Sequence, residues 1–154
     1  MNKVRLGIIG MGNMGKYHAD YLLANKVARC ELTAFSERSA ANRERYKQIK
    51  YFESSEKLIR SGEVDAVIIA TPHYSHTTIG VDALEHGLHI LVEKPISVHK
   101  ADCERLLAAA QKRASIGQAK EWSNRLPAAP RRRKRLEAGP NSPYRDAAGL
   151  AALV

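Results

Sequence analysis

Cysteine is scarce in this 154-residue chain: Cys30 and Cys103 lie far apart and in no metal-ligand spacing. That excludes a disulfide-stapled secreted scaffold and a cysteine-built zinc site, and it suits two free thiols in a reducing cytoplasm. Long apolar runs are missing too. None approaches the ~20 residues needed to cross a bilayer. The N-terminus reads as a strand rather than a basic-then-apolar leader, so a soluble cytoplasmic protein is expected. Histidine stops at His99, and after residue 113 only Ile116 and Val154 are β-branched aliphatics. Four of the six prolines and the run Arg131-Arg132-Arg133-Lys134-Arg135 fall in that last part. Such a segment cannot bury enough apolar surface to offset its ordering entropy. The expected organisation is one domain over residues 1–119 and a basic, irregular or disordered Ala/Arg/Pro-rich tail over 120–154. The formal charge of +9 follows the same division. Residues 1–113 carry 17 Lys/Arg against 13 Asp/Glu, and residues 114–154 carry 8 against 3. The excess is therefore largely a property of the tail, and says little about what the first domain binds.

One stretch organises what is present. Val4-Arg5-Leu6-Gly7-Ile8-Ile9 is an apolar, β-branched run that leads without a linker into Gly10-Met11-Gly12-Asn13-Met14-Gly15. This is G-x-G-x-x-G between a strand pattern and a helical one, with an acidic residue, Glu37, about 20 positions on. In a dinucleotide site each glycine has a physical task. Gly10 permits the tight turn, Gly12 leaves no Cβ between backbone and pyrophosphate, and Gly15 lets helix and strand pack closely. The helix then turns its free N–H groups and positive dipole end toward the phosphates.

The remaining chain alternates strand and helix. Met14, Tyr17, His18, Tyr21 and Leu22 recur at helical spacing and predict a helix over 13–25, with His18 read as an inward packing residue rather than a ligand. Residues 31–36 predict a second strand ending at Glu37, whose carboxylate can accept both hydroxyls of an adenosine ribose. The same charge repels a 2′-phosphate and favours NAD, while the adjacent Arg38 keeps NADP open. A polar helix over 42–49, a short strand at Tyr51-Phe52 and a capped helix from Ser54 follow. Residues 64–71 are apolar without alternation, as in a parallel strand buried on both faces, and Pro72 ends them. A helix over 74–86 closes at Gly87, residues 89–92 form a fifth strand, and a last helix over 100–113 turns Cys103, Leu106, Leu107 and Ala110 inward. The expected fold is α/β, a doubly wound parallel sheet. Ligands of such sheets bind beyond the carboxyl ends of the strands, where the glycine turn, Thr71-Pro72-His73 and Glu93-Lys94-Pro95 converge. His73 and His76 lack a third partner, so no metal is expected.

The glycine turn, Ala70-Thr71-Pro72 with His76 four positions past the proline, and Glu93-Lys94-Pro95 together resemble the Gfo/Idh/MocA oxidoreductases over residues 3–113. That family includes glucose–fructose oxidoreductase and inositol 2-dehydrogenase. The resemblance implies an NAD(P)-binding Rossmann fold, with Gly10, Gly12, Asn13, Met14 and Gly15 cradling the pyrophosphate and Glu37, with Arg38 beside it, at the adenosine ribose. Thr71, Pro72 and His76 would border the nicotinamide half, and Glu93 and Lys94 would face the nicotinamide ribose and the substrate. Lys94 would assist proton transfer as hydride leaves a sugar, polyol or inositol-like carbon, since an ammonium lowers the cost of a developing alkoxide.

Family members continue into a second domain that builds the substrate pocket and often a subunit interface. Here the chain gives way instead to the Arg/Pro-rich segment, a stretch that a frameshift in a GC-rich gene would produce. Two functions follow. The first is an NAD(P)-dependent oxidoreductase represented by its nucleotide-binding domain, weakly active or inactive alone. The second is a stand-alone nucleotide-binding or regulatory module whose basic tail contacts an acidic partner. A dinucleotide and a small polyhydroxylated substrate are the expected partners, without membrane or nucleic acid, and oligomerisation is left open.

Overall fold

The computed structural model describes residues 3–39 and 42–117, with side chains placed through Arg113. The expected tail over 120–154 lies outside the described residues. Strands β1 (Val4–Ile9), β2 (Cys30–Ser36), β3 (Lys50–Phe52), β4 (Ala66–Ile69) and β5 (His89–Val92) form a five-stranded sheet in the order β3-β2-β1-β4-β5. Every pairing is parallel. The order reverses between β1 and β4, so the crevice expected of a doubly wound sheet opens at their carboxyl ends.

Alternation of side chains across the pleat divides the interior in two. Ile8, Phe35 and Ile68 face one side and pack with Ala19 and Leu22 of helix α1 (Asn13–Leu23). Ile9, Ala34, Val67, Ile69, Ile90 and Val92 face the other side. There they meet helices α2 (Ser55–Ile59), α3 (His76–Glu85) and α4 (Lys100–Gly117) through Leu58, Ala83, Leu84 and Leu106. Burial on both faces explains the unbroken apolar reading of β4. Regular pairing covers only Ala66–Ile69 of the expected 64–71, although Val64 is also buried. At the opposite end of the sheet, the Arg5 guanidinium grips the Asp65 carboxylate (Nη2–Oδ1 2.8 Å) and the Gly62 carbonyl, tying the start of β1 to that of β4.

Three sequence expectations are corrected. The inward face of α1 is Gly15, Ala19 and Leu22, whereas Met14, Tyr17 and Tyr21 are 41–46 % exposed. At Gly15 a Cβ would stand 1.9 Å from the Gly10 carbonyl oxygen, so the first turn of α1 meets the sheet through glycine, and Ala19 and Leu22 carry the rest of its contact face. On α4 the outcome is similar at one position: Leu106 is fully buried, whereas Leu107 is largely exposed. Residues 42–49 form successive turns rather than a regular helix. The Tyr46 amide bonds the Asn42 carbonyl and the Ile49 amide bonds the Tyr46 carbonyl. Only Tyr46 and Ile49 of this stretch are buried, which leaves too narrow an apolar stripe to hold a helix on the sheet.

Tyr46 anchors that turn. Its ring meets Phe35 edge-on and its hydroxyl donates to Asp20 on α1 at 2.9 Å. Burial, then the bond to the Asp20 carboxylate and that carboxylate's charge, push the phenol up to about 12 from its usual 10. The folded state thus favours the neutral phenol. This contribution is complete below pH 10, where both states keep the proton, and is lost as pH rises from 10 to about 12; it amounts to at most ~2.7 kcal/mol. Tyr46→Phe is expected to cost about 1 kcal/mol at pH 7 through the lost hydrogen bond, and to lose less stability than the native chain between pH 10 and 12. Urea unfolding at several pH values measures both effects.

Candidate functional site

The site is built where β1 turns into α1. Gly10 has a φ of +92°, and a Cβ there would come within 2.9 Å of the Ala70 and Thr71 backbone. At Gly15 a Cβ would stand 1.9 Å from the Gly10 carbonyl oxygen, so the first turn of α1 lies directly against the turn that precedes it. Gly12 is different: nothing lies within 4 Å of where its Cβ would be. It forms the N-cap of α1, and no side chain caps the helix. The Lys16 amide closes the first turn onto the Gly12 carbonyl. The amides of Asn13, Met14 and Gly15 therefore have no partner within the helix and sit at its positive end, beside open space.

That space continues as a cleft of about 360 Å³, whose lining includes Gly10, Gly12, Glu37, Arg38, Thr71 and Pro72. Glu53, Ser54 and Glu56 at the start of α2 form part of the same wall, and Tyr74 lies on the opposite lip. With Glu53 paired to Lys57, the charged groups left on the lining are Glu37, Glu56 and Arg38. Hydrogen bonds from its own amide and from Ser54, near the start of α2, hold the Glu56 carboxyl below its usual range. The wall is thus net acidic. The Glu37 carboxylate is held by Asn42, through the amide N–H to Oε1 at 3.1 Å and Nδ2 to Oε2 at 2.9 Å.

The loop after β4 supplies Ala70, Thr71, Pro72 and Ser75 to the lining, and the loop after β5 lies behind it. His76 does not line the cleft; it is 1 % exposed and lies beneath it. Its Nε2 is 2.8 Å from the Thr71 carbonyl oxygen and its Nδ1 is 3.0 Å from that of Pro95. One imidazole thereby joins the Thr71-Pro72 loop to Glu93-Lys94-Pro95. A single N–H satisfies one of these carbonyls and the imidazolium both. With both ring nitrogens so occupied, His76 has no atom left to pair with His73 on a metal. Among the described residues no group of three or more His, Cys, Asp or Glu is placed to hold a metal ion, and no helix is long and apolar enough to cross a membrane.

Glu93 is buried, and its Oε1 lies 2.5 Å from Nε2 of His18 on α1. Lys94, the next residue, is exposed. His18 thus reaches the β5 loop across 75 positions of sequence, a contact that helical periodicity does not reveal. Asn42 is the other residue that sequence reading passed over. Neither contact has a periodic signal, because each is made to a loop residue: Glu93 after β5 for His18, and Glu37 after β2 with Met11 in the glycine turn for Asn42.

These residues fit a dinucleotide. The space over Gly12 and the partnerless amides of α1 suit a pyrophosphate. A carboxylate with spare lone pairs at the end of β2 suits a ribose diol. Asn13, Met14 and Gly15 border the open end of α1 rather than the lined cleft, whereas His18–Glu93 and Lys94 lie at the far side of the turn.

Residues 4–120 match the family model described as an oxidoreductase family with an NAD-binding Rossmann fold. The rhizopine catabolism protein MocA of Rhizobium meliloti is 32 % identical over 141 residues, covering 90 % of this chain and 44 % of that protein. Inositol 2-dehydrogenase of Salmonella typhimurium is 32 % identical over 114 residues, 71 % of this chain and 34 % of the enzyme. Among solved structures, scyllo-inositol dehydrogenase of Lactobacillus casei with bound NAD(H) and scyllo-inositol superposes with a TM-score of 0.70 at 27 % identity, over 74 % of this chain and 34 % of that one. The chain thus spans less than half the length of these relatives.

The two ends of the glycine turn separate folding from binding. Gly15→Ala is expected to cost more than about 3 kcal/mol, because the methyl group meets backbone that cannot yield. Gly12→Ala is expected to cost only about 1 kcal/mol, the loss from placing Ala at an N-cap, while filling the space above the α1 amides. Thermal unfolding alongside titration with NADH checks both. A stable Gly12→Ala protein with undiminished NADH affinity would contradict the assignment.

Proposed function

Given that this chain belongs to the Gfo/Idh/MocA oxidoreductase family with an NAD-binding Rossmann fold, we propose that it is the cofactor-holding part of an NAD-dependent dehydrogenase acting on a small polyhydroxylated ring compound. The observation that carries this reading is the single cleft running from the uncapped N-terminus of α1, over Gly12, to the Glu37 carboxylate. The amides of Asn13, Met14 and Gly15 hold the pyrophosphate, Glu37 accepts the adenosine ribose hydroxyls with Arg38 beside it, and Thr71 and Pro72 shape the wall leading to the nicotinamide end. His76 acts beneath that wall as the brace between its two loops. Glu93 and Lys94 face the nicotinamide ribose and the substrate.

The bound nicotinamide would supply the hydride acceptor. The chain's own part in the chemistry would fall to Lys94: as a neutral amine it would accept the hydroxyl proton, and as an ammonium it would lower the cost of the developing alkoxide, as the carbon is oxidised. The inositol dehydrogenases among the relatives support a polyol or inositol-like substrate. Turnover needs that substrate held at near-attack distance, a positioning effect worth about 7–11 kcal/mol. Lys94 is exposed, so the described residues do not enclose a dry pocket around it.

The acidic wall favours NAD over NADP. A 2′-phosphate would bring at least one further negative charge toward Glu37 and Glu56, with Arg38 offsetting part of the cost. NAD is expected to bind about tenfold tighter, ~1.4 kcal/mol, and Glu37→Ala to erase that preference. Calorimetric titration with both cofactors measures it; tighter NADP binding that is insensitive to Glu37→Ala would refute it. With saturating NAD and a panel of sugars, polyols and inositols, NADH formation by this chain should fall orders of magnitude below the ordinary ~1–10³ s⁻¹. Turnover in that range, abolished by Lys94→Ala, would show that the described site is catalytically complete.

A further inference from the structure

We infer that Asn42 sets the cofactor preference of this site by holding the Glu37 carboxylate in the orientation that receives a ribose diol. The inference rests on the dinucleotide reading above and adds to it a residue that touches the selecting group rather than the cofactor.

Asn42 reaches Glu37 twice and the glycine turn once. Its backbone N–H donates to Oε1 at 3.1 Å and its Nδ2 donates to Oε2 at 2.9 Å. The same Nδ2 also donates to the Met11 carbonyl at 3.1 Å. The side-chain amide has two hydrogens, so it can serve both acceptors at once. The Glu37 main chain is fixed separately, because the Tyr51 hydroxyl is 3.1 Å from the Glu37 carbonyl oxygen. Asn42 is itself held at the start of the turn that Tyr46 anchors, through the bond from the Tyr46 amide to the Asn42 carbonyl.

A glutamate at a strand end ordinarily samples several rotamers, and binding a diol must select one. Here each carboxylate oxygen already has one donor, which fixes the plane of the carboxylate relative to Met11. Each oxygen keeps a further lone pair, so two ribose hydroxyls can still donate to it. Affinity gained by such preorganisation appears only for a ligand that uses the fixed geometry. A cofactor with two free hydroxyls uses it, and a 2′-phosphorylated one does not. Removing the Asn42 side chain should therefore change NADH binding selectively.

The test is a double-mutant cycle in the full chain, reading calorimetric dissociation constants for NADH and NADPH in the native protein, Asn42→Ala, Glu37→Ala and the double variant. Asn42→Ala is expected to weaken NADH by about five- to tenfold while changing NADPH by less than twofold. In the Glu37→Ala background the same substitution should change NADH by less than twofold, since the group that Asn42 orients is gone. Equal weakening of both cofactors, or an undiminished effect without Glu37, would overturn the inference and make Asn42 a structural peg of the turn. Asn42→Asp serves as the second variant. It keeps the backbone donor and the side-chain shape but sets a carboxylate against Glu37, so it should weaken NADH at least as far as Asn42→Ala does; undiminished NADH affinity would also overturn the inference. Failure of the native chain to bind either cofactor would instead remove the dinucleotide reading on which this one stands.

Discussion

The close approach of α1 to the turn before it governs the site. A Cβ at Gly15 would overlap the Gly10 carbonyl oxygen at 1.9 Å, so the helix can begin where it does only because that atom is missing. The same approach points the first turn of α1 along the carboxyl edge of the sheet and leaves its amides facing open space above Gly12. It also goes with the inner face of α1, which is made of Gly15, Ala19 and Leu22. Chemistry and packing therefore share one constraint. A glycine that reads as a phosphate motif is, in physical terms, first a packing requirement.

Around that fixed corner, three polar contacts set the positions of the loops. Asn42 ties the β2 carboxylate to Met11, and His76 ties the loop after β4 to the loop after β5. His18 ties α1 to Glu93. Each contact links groups from different segments, and two of the three end on residues that line the cleft, Glu37 and Thr71. Loops are the most mobile parts of such sheets and carry their binding groups, so side-chain bridges between them define the cleft geometry more than any strand does.

Much of the architecture was legible in the sequence. The unalternating run over residues 64–71 read as a strand covered on both faces, of which Ala66–Ile69 is paired, and the glycine turn marked where the first crossover begins. Glu37 was identifiable as a strand-end carboxylate because the apolar pattern of β2 stops one residue before it. What sequence reading misjudged shares one physical cause. Periodicity measures hydrophobicity along one element and is blind to how near the next element lies. Tyr17 and Tyr21 have helical spacing, yet both lie largely exposed, while Gly15, Ala19 and Leu22 take the inner face. Residues 42–49 looked like a polar helix because charged residues are tolerated there, yet two buried side chains cannot hold one. His18 and Asn42 carried no local mark at all. The partner of His18 lies 75 positions away. Asn42 bonds Glu37, five residues back, and Met11, 31 residues back in the glycine turn, through loop backbone that no periodicity describes.

The central claim is that phosphates of a dinucleotide sit at the exposed amides of α1, with Glu37 at the far end of the same cleft. The most direct measurement is an amide chemical-shift titration of the ¹⁵N-labelled chain with NADH. Saturating, single-site changes should be largest at Gly12, Asn13, Met14 and Gly15, with a second set at Glu37 and Asn42, while the amides of α4 stay where they are. Changes absent from the glycine turn with NADH in large excess, or confined to the Arg131–Arg135 run, would contradict the account.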